Sequence, residues 1–456
     1  MFLILALAAA LQQQEPPEGK VAGGRERSSA LLLQLSGRFD VHYASRDGAL
    51  NEAGSVLNGG LLGDQSTTNA WAGRFTLRTD ITVRDAVTGV LELENRSFDG
   101  GLNRPFSANP ELDAILIEQA YIDVPDFLLR GLGLRIGIQD LTYRNRPHGE
   151  PFFMDLDESE GFFSGYSAAG FHVGNSVDRD VLEATGVKAT WAPNDFMLLQ
   201  GAAVVYGEGG ASSGDESVYL LAANSMLAEH WAAWVLAALV SGGNPHLDQI
   251  VTVGAGVDGY LGESRALELF AEVYGQSGTL VDSPATVRKR AYAFQAGARY
   301  LACDCLWLEG AFAHRSGNRR AGDDRDQAFQ SYENENRFLI LQSSEFGLDV
   351  DTNVRVARAA IGVGPIDLDG RPLRFQLDAG RFTAAADLLD AAGARFAGPK
   401  RRWGVETDLT ATWSYNESLS FKVQGAWLFG SDLLEALTDR GRDHSTLIVA
   451  GADLKF

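Results

Sequence analysis

The stretch HSTLIVAGADLKF, residues 444–456, alternates from end to end. In an extended chain Ile448, Ala450, Ala452, Leu454 and Phe456 fall on one face, and Val449, Gly451, Asp453 and Lys455 on the other. One side is apolar, the other wetter, and the strand ends on an aromatic residue. A soluble sandwich shows such alternation in isolated strands. Here it recurs down most of the chain in pieces of about ten residues, the pattern of a membrane barrel.

Working outward from that strand, the earliest segments repeat the pattern. Leu31, Leu33, Leu35, Phe39, Val41 and Tyr43 share one face, and Gln34, Ser36, Arg38, Asp40 and His42 the other. Next, Trp71, Phe75, Leu77, Ile81 and Val83 oppose Arg74, Thr76, Arg78, Asp80, Thr82 and Arg84. Both faces cannot be buried in one dry core, whereas a lipid belt outside and a hydrated lumen inside satisfy both at once. Continuing in this way places about eighteen strands, with about sixteen as the alternative. Short gaps fall near Val87, Pro125, Asn194, Glu229, Glu263, Asp304, Asp367 and Glu417. Longer ones separate them, notably 44–69, 97–113, 144–180 and 316–350. Short turns on one side and long loops on the other put both termini in the periplasm. Fifty-one glycines against thirteen prolines suit many strands joined by tight turns. The expected fold is all-β, a transmembrane antiparallel up-and-down β-barrel over residues 31–456 in a bacterial outer membrane.

Ahead of the barrel, residues 1–20 read as a signal peptide and the start of a lead-in, and residues 21–30 as a periplasmic linker. The apolar run Phe2 to Leu11 is too short to span a bilayer, and Ala8 and Ala10 supply small residues for cleavage, although no Lys or Arg precedes the run. A net charge of −21 argues against nucleic acid as a partner, because phosphate binding depends on clustered Lys and Arg. Cys303 and Cys305 flank Asp304 and read as a turn pair, oxidised or not, since no further ligand stands near enough for zinc. The acidic group Asp323, Asp324, Asp326, Glu333 and Glu335 lacks the spacing of a twelve-residue calcium loop and reads as a solvated surface loop. His148 and Glu150 stand isolated, and Gly207 to Gly210 lacks the context of a phosphate loop. No nucleophile elbow or metalloprotease motif occurs, so no catalytic residue, metal or cofactor is expected.

Tyr43, Trp71, Trp191, Trp231, Trp403, Trp413, Tyr415 and Trp427 stand near strand ends, where aromatic girdles of a barrel belong. Two segments are less clean. Residues 115–124 and 354–363 carry apolar side chains on both faces, as expected if inward-facing residues pack against a loop folded into the lumen. Parity then names the pore lining: Arg38, Arg74, Arg78, Arg84, Arg135, Arg299, Arg374 and Arg402. The planar guanidinium stays charged and grips two oxygens, so a series of arginines suits a carboxylate-bearing solute. Acids share the same faces, however, among them Asp40, Asp80, Glu92, Glu94, Glu268, Glu272, Asp378, Glu406 and Asp408. Cross-strand ion pairs that merely stiffen the wall would give the same pattern, and the two readings stay open.

Three segments carry a resemblance. The run LRIGIQDLTY (134–143), the acidic stretch AGDDRDQAFQSY (321–332), and ETDLTATWSY (406–415) followed by LSFKVQGAWLFG (419–430) look like the early signature, the acidic loop and the closing hairpin of the alginate-export family of outer-membrane barrels. That resemblance implies a pore of about eighteen strands that passes an anionic polysaccharide through an arginine-rich lumen. The chain departs from the family at Gly137-Ile138-Gln139, where a Gly-Arg-Gln is usual. The functional expectation is a channel for passive transport or export of an anionic solute, an acidic polysaccharide or oligosaccharide. The alternatives are a general diffusion porin and an adhesion barrel acting through its long loops. Outer-membrane lipid and lipopolysaccharide are the expected surroundings.

Overall fold

The computed structural model describes residues 31–47, 68–83, 86–95, 115–139, 141–142, 155–156, 184–206, 216–242, 249–262, 265–282, 285–318, 325–329, 337–342, 350, 352–387, 402–437 and 443–456. Eighteen long strands follow one another around a single antiparallel sheet. They are β1 Leu31–Asp47, β2 Thr68–Val83, β3 Val87–Asn95, β4 Ile115–Val124, β5 Leu132–Gln139, β6 Ala184–Asn194, β7 Met197–Tyr206, β8 Glu216–Ala228 and β9 Trp231–Ser241. The ring continues through β10 Gln249–Leu261, β11 Leu267–Asp282, β12 Ala285–Cys303, β13 Leu306–Arg315, β14 Val354–Leu368, β15 Arg371–Ala384, β16 Arg402–Ser414, β17 Leu419–Phe429 and β18 Ser445–Lys455. Arg38 to Asp47 of β1 pair with Thr446 to Lys455 of β18, so the sheet closes and leaves no edge.

Alternation decides which face each side chain takes. Leu221, Val235, Val253, Val273 and Ile448 are each more than half exposed, whereas Val449 beside Ile448 is 3% exposed. Leaving a ring of such side chains in water costs about 1.5–3 kcal/mol apiece, which a soluble protein avoids and a bilayer removes. The eight short gaps expected from the sequence all fall in connections of two to seven residues between hairpin-paired strands, on one side of the barrel. At Asp369-Gly370 both residues have positive φ, 56° and 79°, the geometry of a type I′ hairpin turn that follows the strand twist. Cys303 and Cys305 form a disulfide across their turn. On the opposite side, β11 and β12 run 16 and 19 residues before turning, longer than the belt requires.

Where the pattern was unclean, the wall or the lumen is irregular. In β4 the partners of Glu92 and Leu93 are Gln119 and Ile117, so Glu118 is an extra, bulged residue. A bulge resets parity, which puts Ile117 and Ile122 both outward and Glu118, Gln119 and Tyr121 inward. In β14, Val354 and Val356 face inward and are 2% exposed. They belong to an apolar cluster that fills much of the lumen toward the long-loop side, with Val218, Leu220, Trp234, Leu236, Leu428 and Leu447. Part of the lumen is therefore dry.

Of the aromatics assigned to girdles, Trp191, Tyr415 and Trp427 are 38, 38 and 36% exposed. Trp403 is a correction, being 0% exposed and inside the barrel. Phe382 and Thr383 pair with Gly404 and Arg402, so Trp403 is a second bulged residue. Gly404 has φ 128°, and a Cβ there would lie 2.6 Å from Leu428 and 2.9 Å from the Phe429 carbonyl, so the bend requires glycine. The leader and linker, residues 1–30, lie outside the described residues.

Candidate functional site

The lumen is shaped by the chain between β13 and β14. Phe329 and residues 337–342 of this loop sit inside the barrel, with Phe338, Ile340 and Leu341 0% exposed. Residues 338–342 make one helical turn, the Gln342 N–H donating to the Phe338 carbonyl at 2.9 Å. The first N–H groups of such a turn have no partner within it and point along its axis. Here two wall carboxylates accept them: Leu339 N–H donates to Asp408 Oδ2 at 2.8 Å, and the Ile340 and Leu341 N–H groups donate to the two oxygens of Glu406 at 2.6 and 2.9 Å. Arg337 completes the clamp, donating to Asp378 Oδ1 at 2.8 Å and Glu309 Oε1 at 2.7 Å. Burial by itself lowers the pKa of Arg337, but Glu309 and Asp378 more than reverse this, so the guanidinium is held above its ordinary value.

Apolar contacts seat the same loop. Phe338 meets Phe382 edge-on at 5.0 Å, and Gly380 admits this approach, since a Cβ there would fall 2.7 Å from the Phe338 ring. Phe329 lies 6.2 Å from Tyr274, which lies 5.5 Å from Trp234. Asp326 is buried against Lys289 at 2.6 Å. This corrects the solvated reading of that position; Asp323, Asp324, Glu333 and Glu335 lie outside the described residues. Above the loop, α1 (Asp432–Leu437) is capped by Ser431 Oγ, which accepts the Leu434 N–H at 3.1 Å, and Leu434 packs into the same apolar cluster.

Elsewhere in the ring the arginines named from parity occupy a wetter surface. Arg78 binds Asp80 at 3.0 Å and Glu92 at 3.2 Å, and donates to the Tyr121 hydroxyl at 3.2 Å. Arg135 binds Asp123 at 2.9 Å and lies 4.1 Å over the Tyr121 ring. Arg38 reaches Asp453 at 2.9 Å. Arg299 lies 4.3 Å over Trp307 and stands in register between Glu268 and Glu309. Arg374 is exposed on the face that carries Asp378. Arg402 sits at the mouth, 63% exposed and bound to Asp432 of α1 at 2.7 Å. Arg74 stands opposite Asp40 in register, and Arg84 lies outside the described residues.

Ion pairing thus dominates the described arginines. Sequence reasoning placed Asp378, Glu406 and Asp408 inside the barrel but missed Arg337 and the clamp, because the loop has no periodicity to read. Among the described residues no cluster of three His, Cys, Asp or Glu side chains is arranged to hold a metal ion.

Comparison with solved structures yields outer-membrane porins. The chain is similar to the outer membrane protein OprD from Pseudomonas aeruginosa (TM-score 0.54, 12% identity, 93% of this chain and 94% of that one). It is also similar to OccK9 (OpdG), with TM-score 0.53, 13% identity and coverage of 93 and 98%, and to OccK3 (OpdO), with 0.51, 12%, and 93 and 95%, both from the same organism. No family model matches the chain, and no curated protein matches it. The resemblance to alginate exporters therefore holds only as far as the eighteen-strand porin-type barrel, and the fold is that of an outer-membrane barrel.

Proposed function

We propose that this barrel is a solute-selective passive channel for small anionic molecules, up to an acidic oligosaccharide. The observation that carries the reading is the clamp: a loop fixed inside the lumen by Arg337 and by the wall carboxylates Glu406 and Asp408. A lumen narrowed this way argues for small cargo over a polymer, and against both a wide general porin and alginate export. With eighteen strands in the ring, β5 stands nine places from β14 and β2 six, so Arg135 lies across the ring from the loop and Arg78 on the wall between them. Their guanidiniums already share carboxylates, so a passing carboxylate exchanges one acid partner for another and is released as readily as it is held. The protein is not expected to act as an enzyme.

Reversal-potential measurements in planar bilayers test the reading. Neutralising Arg78 and Arg135 (Arg78→Gln with Arg135→Gln) leaves Asp80, Glu92 and Asp123 without their cations and should shift selectivity toward cations by about threefold or more. An unchanged reversal potential would remove these residues from the conduction path.

A further inference from the structure

On the outside of the barrel, a cavity of about 280 Å³ is lined by Arg290, Tyr292, His314, Ser316, Arg325 and Arg355 among others. We infer that it binds the phosphorylated sugar headgroup of an outer-leaflet glycolipid, that is, lipopolysaccharide. The placement follows from parity. Along β12 the outward side chains run Tyr300, Phe294, Tyr292, Arg290, and along β13 they run Leu308, Phe312, His314. Phe294, His314 and Arg355 lie level across β12, β13 and β14. Apolar character therefore gives way to polar and basic character toward the long-loop ends of three neighbouring strands, the side that in such barrels faces the cell exterior.

The loop beyond β13 adds a further cation. Arg325 and Asp326 form a short parallel ladder with Arg288 and Lys289; Asp326 turns inward to Lys289 and Arg325 outward. Arg355 is held in place, its Nε donating to His314 Nδ1 at 3.2 Å and its Nη2 to the Ala385 carbonyl at 3.3 Å. The His314 ring stacks on Phe294 at 5.3 Å, lies tilted against Tyr292 at 5.1 Å and floors the cavity.

Three arginines around one cavity with no carboxylate among its lining residues stand out in a chain of net charge −21. Guanidinium forks match phosphate oxygens bidentately, and the rim of a bilayer is where basic pockets capture lipid headgroups. Tyr292, 46% exposed, offers the sugar an aromatic face and a hydroxyl.

The test uses the full-length barrel in detergent with purified diphosphorylated lipid A and with the same lipid after phosphatase treatment, bound lipid being counted by native mass spectrometry. Wild type should bind the phosphorylated form at least about tenfold more tightly, equivalent to ~1.4 kcal/mol. The double variant Arg290→Gln with Arg355→Gln should lose that preference while keeping the heat-modifiable gel mobility of a closed barrel. Equal binding of the two lipids by wild type, which needs no variant, overturns the assignment. So does a preference that survives in the double variant, or saturation by inorganic phosphate without any phosphate-dependent lipid binding.

Discussion

The arc β13–β16 and the arc β1–β5 use the same residue types toward different ends. In the first, Arg337 and Arg358 keep 16 and 8% of their side chains exposed, and their carboxylate partners Glu309 and Asp378 keep 10 and 3%. In the second, Arg38, Arg78 and Arg135 keep 45, 33 and 29%. An ion pair taken out of water must be geometrically complete to survive, and breaking it strands a charge; a hydrated pair is worth little and exchanges partners freely. Burial, more than residue type, separates the part of the wall that locks a loop from the part that can greet a solute.

Releasing the lock is the sharpest way to break this contrast. Replacing Glu406 with Gln and Asp408 with Asn weakens or removes three buried hydrogen bonds to main-chain N–H groups, of about 0.5–1.5 kcal/mol each. Single-channel conductance should rise severalfold and the loop should become sensitive to protease; unchanged conductance would mean that it does not restrict the lumen. Truncating Arg337 to Ala leaves Glu309 and Asp378 buried together without their shared cation. Unfolding in detergent should report a loss of about 3–5 kcal/mol. Trp403→Ala empties space behind the clamp and should cost about 3 kcal/mol by the same assay, with less effect on conductance than the double carboxylate variant. At the small end, Arg38→Gln should alter stability by less than about 1 kcal/mol, because the Arg38 side chain is nearly half exposed. A loss comparable to that of Arg337→Ala would erase the distinction between the arcs.

Much of the barrel was legible because a period of two, sustained over short segments, leaves few alternatives once both faces must be accommodated. Strand number, the eight short connections and the inward placement of Asp378, Glu406 and Asp408 all follow from it. It failed at Glu118 and Trp403, where one extra residue shifts the parity of everything beyond it, and a bulge has no local signature stronger than a glycine such as Gly404. It could also not pair Arg337 with Glu309 and Asp378, 28 and 41 residues away, since nothing in a non-periodic loop announces its distant partners.

One feature of the clamp bears on how such channels diversify. On the loop side, Glu406 and Asp408 grip main-chain N–H groups, which every residue except proline supplies. Side chains at 339–341 can then be exchanged over evolutionary time without undoing this part of the attachment, provided they still fit the apolar space around them. Anchorage and solute preference become separately mutable traits, so a lineage could retune what passes while conserving two acids in the wall.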